Sequence, residues 1–218
     1  MTTLLSTGER ILALVKTIVL ARHGKAPKTF PDQRDEARIL NDLGVTQAKK
    51  LGEKIADLTF DAVVSSPLTR ACETLKIATE GKYQIVLFSE LTCPTDGVHP
   101  IDIMFNELGY ATLYDYFAHE LGDHLKAWGR TALDAILNHL GNKPDQVVLV
   151  GGHAVLQNAL GWAFCEALHR DTSVAGDVAT EFILETSLGE CEGFFLKPCV
   201  MLAEGDDGEV ICEYIKLD

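Results

Sequence analysis

Basic residues are scarce in this chain. Only 19 Lys and Arg stand against 32 Asp and Glu, giving a formal net charge of −13. A field of that sign repels nucleic acid and anionic membrane surfaces, so neither is expected as a partner. Any anion site must then be built from a few placed Arg and His side chains. No C-x-x-C pair occurs among the six cysteines, Cys72, Cys93, Cys165, Cys191, Cys199 and Cys212. That favours reduced, mostly buried thiols over a zinc or disulfide framework. No apolar run reaches the roughly 20 residues that span a bilayer. The start, MTTLLSTGERILALVK, lacks a basic leading region and an A-x-A cleavage site, and Glu9-Arg10 interrupts it. A secretory signal is not expected there, which points to the cytoplasm. No G-x-S-x-G, P-loop or G-x-G-x-x-G is present. His119-Glu120 with His124 falls short of a zinc-protease motif, because the histidines are five apart where H-E-x-x-H needs four to share a helix face.

What is present is ordinary for a globular protein: 218 residues, 47% hydrophobic and 23% charged. That length suits one domain over 1–218 with a sizeable core. No internal repeat, linker or low-complexity tract interrupts it, and nothing in the sequence fixes an oligomeric state.

Short β-branched runs alternate with helical spacing. Residues 4–15 have the pattern of a short amphipathic helix. Residues 16–21 (KTIVLA) and 146–152 (QVVLVGG) read as buried strands, 60–66 (FDAVVSS) as a second apolar strand and 83–88 (YQIVLF) as a third strand. Ala48, Leu51, Ile55 and Leu58 set a helix over 46–58, with Thr46 as its cap. Pro67 suits the first turn of a helix running through Arg70 to about Thr79. Residues 89–112, with Pro94, Gly97, Pro100 and Gly109, read as an irregular lid. A long helix is expected over 112–140, with weak points at Gly122 and Gly129, and another from His153 to about Leu168. The tail, FFLKPCVML and EVICEYIKL around GDDG, reads as a β-hairpin at a sheet edge. The alternation predicts an α/β three-layer sandwich, a mainly parallel central sheet with helices on both faces.

In such a sheet, ligands bind at the carboxyl ends of the strands. Three residue sets are expected there: Arg22-His23-Gly24, Ser65-Ser66-Pro67 with Arg70, and Gly152-His153. Arginine forks suit phosphate oxygens. A neutral imidazole can attack phosphorus and carry the phosphoryl group, splitting one hard step into two. A second histidine can donate to a phosphoryl oxygen, and a nearby phosphate favours its protonated form. This plan needs neither metal nor cofactor. Each residue also has a plainer role: a structural histidine at a strand end, a solvated or paired arginine, or a helix cap at His153. A lone R-H-G is weak; the set at ordered strand ends is stronger.

Four segments strengthen it: IVLARHGKA (18–26), LNDLGVTQAKKLG (40–52), FDAVVSSPLTRACETL (60–75) and VVLVGGHAV (147–155). In this order they resemble the histidine phosphatase superfamily, which includes the cofactor-dependent phosphoglycerate mutases. The resemblance covers about residues 16–165. It implies a phosphoglycerate mutase-like fold and a metal-independent reaction. His23 would be the phosphorylated nucleophile, Arg22, Arg70 and His153 would complete the phosphate pocket, and Gly24 would let the backbone approach the phosphate. Asp35 to Gly44 and Glu90 to Pro94 are similar to stretches of the short bacterial phosphohistidine phosphatases. The family's proton donor follows the third strand, where Glu90 stands, with Asp96 as a rival. The W-E-G that usually follows is missing, and Gly152 stands where the family has a serine.

Three functions follow from the resemblance. The first is a phosphatase of small phosphorylated substrates or phosphoproteins. The second is a mutase, against which residues 89–125 offer no Arg or Lys to grip a carboxylate. The third is a non-catalytic phosphate-binding module. Specificity is expected in the loops around 26–38 and 89–112.

Overall fold

Successive residues of the first strand face two different cores. Ile18 and Leu20 pack into one, Val19 and Ala21 into the other, and all four are fully buried. This two-residue alternation is what a sheet covered on both faces demands. The computed structural model describes residues 15–217, apart from 31, 94–95, 142, 144–145, 173–176 and 200–208. The expected helix over 4–15 lies outside the described residues, except that Val15 already belongs to a strand.

Six strands form one sheet: β1 (Val15–Arg22), β2 (Ala62–Ser65), β3 (Ile85–Leu87), β4 (Gln146–Gly152), β5 (Gly193–Cys199) and β6 (Glu209–Ile215). Their order is β3-β2-β4-β1-β5-β6. The first four run parallel, and β5 and β6 add antiparallel at the edge beside β1. Helices α1 (Asp42–Lys54) and α2 (Thr69–Ala78) cover one face. The other carries α3 (Pro100–Leu108), α4 (Leu113–Ala118), α5 (Gly122–Leu140), α6 (Ala154–Thr172) and α7 (Asp177–Glu185). The three-layer, mainly parallel α/β sandwich is borne out.

Several boundaries differ from the sequence reading, each for a local reason. Helix α1 starts at Asp42 because the Asn41 side chain accepts from Gly44 N–H. Thr46 sits inside, its hydroxyl bonded to the Asp42 carbonyl one turn back. Pro67 precedes α2, whose N-cap position is Leu68, with no side-chain cap bond. The lid at 89–112 is not irregular: a 3₁₀ turn spans Ser89–Leu91, and Pro100 opens α3 at its first position, with the His99 side chain accepting from Ile101 N–H. Pro100 thus starts a helix there instead of breaking one. The expected helix over 112–140 is two helices. Thr112 caps α4 with a reciprocal Asp115 bond, and the chain turns at 119–121. A Cβ on Gly122 would lie 2.6 Å from the Phe117 carbonyl, so the turn needs glycine. Gly129 breaks nothing; its missing side chain lets α5 approach the Ala159 carbonyl of α6. Helix α7 was not expected. The tail hairpin is β5–β6, paired from Gly193–Ile215 to Cys199–Glu209, while its GDDG turn lies outside the described residues.

Candidate active site

The parallel register brings the three expected residue sets to one end of the sheet. Arg22 pairs with Gly152 and Ser65 with Gly151. One residue further on, His23 N–H donates to the Gly152 carbonyl (3.0 Å) and Ser66 N–H to the Gly151 carbonyl (2.9 Å). His23, Ser66 and His153 therefore leave three adjacent strands side by side. The His23 and His153 rings meet edge to face with centroids 5.2 Å apart.

His23 is buried, with 8% exposure. Its Nε2 lies 3.2 Å from Nε of Arg70, which can only donate, so Nε2 accepts. The ring proton is then on Nδ1, which donates to the Gly24 carbonyl at 2.7 Å. Burial, and next the charges of Arg70, Arg22 and Arg38, push the His23 pKa down to about 3 against the supporting Gly24 bond. The ring is a neutral imidazole with its lone pair toward a guanidinium. His153 shares a 2.9 Å hydrogen bond with Ser66 Oγ. Burial, then His23 and the same arginines, hold its pKa well below the ordinary value.

Arg22 anchors Nη1 on the Leu188 carbonyl at 2.5 Å, while its Nε is buried with no hydrogen-bond partner among the described residues. A buried donor left unmatched is what an anion would satisfy. Arg70, in the first turn of α2, is only 5% exposed. Its other two nitrogens go to Asp35: Nη1 to the carbonyl at 2.8 Å and Nη2 to the carboxylate at 2.6 Å. Arg38 Nη1 holds the other oxygen of that carboxylate at 2.8 Å.

Gly24 has a tighter reason to be glycine than an open phosphate cradle. A Cβ there would lie 2.7 Å from the Gly44 carbonyl. Its N–H is already taken by Thr74 Oγ1 at 2.9 Å. The glycine of R-H-G and the glycine of L-N-D-L-G thus touch, which lays the chain leaving β1 across the start of α1.

Glu90 lies exposed on the 3₁₀ turn after β3, and its one hydrogen bond among the described residues comes from Ser89 Oγ at 3.1 Å. Asp96 accepts from Val98 and His99 N–H, and these bonds hold its carboxyl below the usual range. That is the wrong direction for a proton donor. His119 and His124 stand on either side of the turn between α4 and α5, and His119 bonds Glu107. Cys72, Cys165, Cys191 and Cys212 carry no disulfide, and burial pushes the Cys165 and Cys191 thiols up to about 12. No helix among the described residues is long and apolar enough to cross a membrane.

Sequence reasoning left Asp35, Arg38 and the Leu188 carbonyl out of the site, and placed Ser66 there without a role. The first two were visible only as part of D-x-x-R, and a backbone carbonyl leaves no trace in composition. Gly152 also gains a physical reason. A Cβ there would lie 2.4 Å from Nε2 of Gln157, which reaches back to the Ala21 and Val150 carbonyls.

A family model described as the histidine phosphatase superfamily (branch 1) matches residues 18–92. No curated protein matches in sequence. Among solved structures, a phosphoserine phosphatase from Entamoeba histolytica, in complex with 3-phosphoglyceric acid, is similar at 17% identity and a TM-score of 0.58. The match covers 92% of this chain and 97% of that one. A mycobacterial glucosyl-3-phosphoglycerate phosphatase matches at 15% identity and a TM-score of 0.59, over 91% and 98% of the two chains. A putative phosphohistidine phosphatase from Agrobacterium tumefaciens matches at 18% and 0.51, over 93% and 99%. The resemblance to the histidine phosphatase superfamily is thus borne out, in sequence over 18–92 and in fold over nine-tenths of the chain. These neighbours carry the names of phosphatases.

Proposed function

We propose that this chain is a metal-independent histidine phosphatase that hydrolyses a phosphomonoester or a phosphohistidine through a phosphohistidine on His23. The observation that carries this is the meeting of His23, His153, Arg22 and Arg70 at one end of the sheet, with the His23 lone pair on Nε2.

The ester phosphate enters beside Nε2, which attacks phosphorus as the bond to the leaving oxygen breaks. Arg22 and Arg70 balance the charge on the equatorial oxygens, and His153, whose protonated form the arriving phosphate favours, donates a hydrogen bond to one of them. Glu90, at the carboxyl end of β3, is the proposed donor to the leaving oxygen. Water then attacks phosphorus as the phosphorus–nitrogen bond breaks, giving its proton to the Glu90 carboxylate left by the first step, which releases inorganic phosphate and restores the imidazole. Burial, and next the arginine charges around it, keep the nucleophile unprotonated at neutral pH, at the expense of some basicity.

The test is hydrolysis of p-nitrophenyl phosphate by the wild type and by His23→Ala. The expected result is loss of turnover by at least about a thousandfold, the scale on which removing a covalent nucleophile acts. Unchanged turnover would overturn the proposal. Glu90→Gln separates the donor role: it should slow esters of basic alcohols far more than p-nitrophenyl phosphate, whose leaving group needs little protonation.

A further inference from the structure

A cavity of about 140 Å³ opens beside the phosphate cluster. His153 forms part of its lining, and so does Leu188, whose carbonyl holds Arg22. The rest is largely apolar, with Phe105, Leu113, Tyr116 and Val155 prominent. Among the described residues its lining holds no Lys, Arg, Asp or Glu.

The walls are fixed from behind. The Tyr116 hydroxyl donates to the Gly109 carbonyl at 2.7 Å, pinning the turn between α3 and α4. The Phe105 and Tyr116 rings pack edge to face at 5.7 Å. On the opposite side, Asn158 Nδ2 donates to the Ile183 and Thr186 carbonyls at 2.9 and 2.8 Å. Arg22 then secures the same segment at Leu188. A cavity whose walls are held by such hydrogen bonds is formed before its ligand arrives. Cavities of about 150 Å³ with apolar walls accept a molecule the size of benzene. A second charged group placed here would lose its hydration with no partner in return.

We infer that the substrates are phosphomonoesters whose alcohol carries one compact apolar group, a single ring or a short branched chain, seated in the cavity beside His153. This rests on the phosphatase reading above and narrows it. It sets aside substrates with a second anionic group in that position.

Phosphonates read the cavity without turnover. Benzylphosphonate and methylphosphonate carry the same anion and differ by the ring, so their affinities for the wild-type chain, measured by calorimetry, isolate the cavity's contribution. Benzylphosphonate should bind at least about tenfold tighter, the scale of burying one ring. Ala111→Trp and Ser187→Phe, which narrow the cavity from opposite walls, should bring the ratio toward one. Affinities within about threefold of each other in the wild type, the size of a contact that buries little, would overturn the inference. So would a ratio that neither variant changes, or failure of both phosphonates to bind. The His23→Ala hydrolysis assay answers separately. Its failure removes the phosphatase reading, whereas equal phosphonate affinities with His23-dependent turnover remove only the apolar substrate class.

Discussion

Nε of Arg70 donates to Nε2 of His23 across 3.2 Å. This contact keeps the nucleophile's lone pair on the nitrogen that faces the arginines and leaves the ring proton on Nδ1, bonded to the Gly24 carbonyl. It also sets a pH dependence. The His23 pKa falls from the ordinary 6.5 to about 3 in the folded chain, chiefly through burial. A depressed histidine binds its proton in the unfolded state first. Its stabilisation is therefore complete above about pH 6.5 and is lost as the pH falls toward 3.

At pH 5 this histidine alone should lower stability by about 2 kcal/mol relative to neutral pH. His153, shifted in the same direction, adds to the loss. Urea denaturation at neutral pH and about pH 5 checks this. His23→Asn should flatten the pH dependence by roughly its own share. An unchanged slope in that variant would show that His23 is not the buried neutral group described here.

The Asp35 carboxylate occupies one Arg70 donor and one Arg38 donor, while its backbone carbonyl takes a second Arg70 donor. A carboxylate so placed competes with an arriving phosphate for the same cations. Asp35→Asn should strengthen product inhibition by inorganic phosphate several-fold, read as a lower Ki. Weaker inhibition would mean that Asp35 serves to hold the arginines in place and does not compete with the anion.

Gly152 makes room for the Gln157 amide. Gly152→Ser forces that amide from two buried carbonyls and should destabilise the chain by about 1–3 kcal/mol. Combined with Gln157→Ala, which vacates the space, the same serine should add little further loss. A thermal-melt double-mutant cycle gives the coupling; simple additivity would contradict the steric account.

The central strands β1, β2 and β4 were legible because burial on both faces leaves continuous β-branched runs that polar side chains cannot interrupt. QVVLVGG matched β4 from Gln146 to Gly152. The spacing of Arg22, His23 and His153 to these strand ends made much of the candidate site readable as well. Helix α3 was not, because Pro100 looks the same whether it starts a helix or stops one; only His99 behind it, capping Ile101, decides. Asn41 and Thr46 are both good caps, and the winner depends on where the Lys25 carbonyl crosses, since it accepts from Asn41 N–H. The cavity beside His153 draws its walls from residues 105–116, 153–158 and 186–188, a juxtaposition that no local pattern encodes.

The most direct measurement locates the phosphoryl group. Rapid mixing with substrate, an alkaline denaturing quench that preserves phosphohistidine, and then mass spectrometry with phosphorus NMR identify both the residue and the nitrogen. The account predicts phosphorylation of His23 on Nε2, because Nδ1 is committed to the Gly24 carbonyl. A phosphoryl group on Nδ1 or on another residue, or full turnover by His23→Ala, would contradict it.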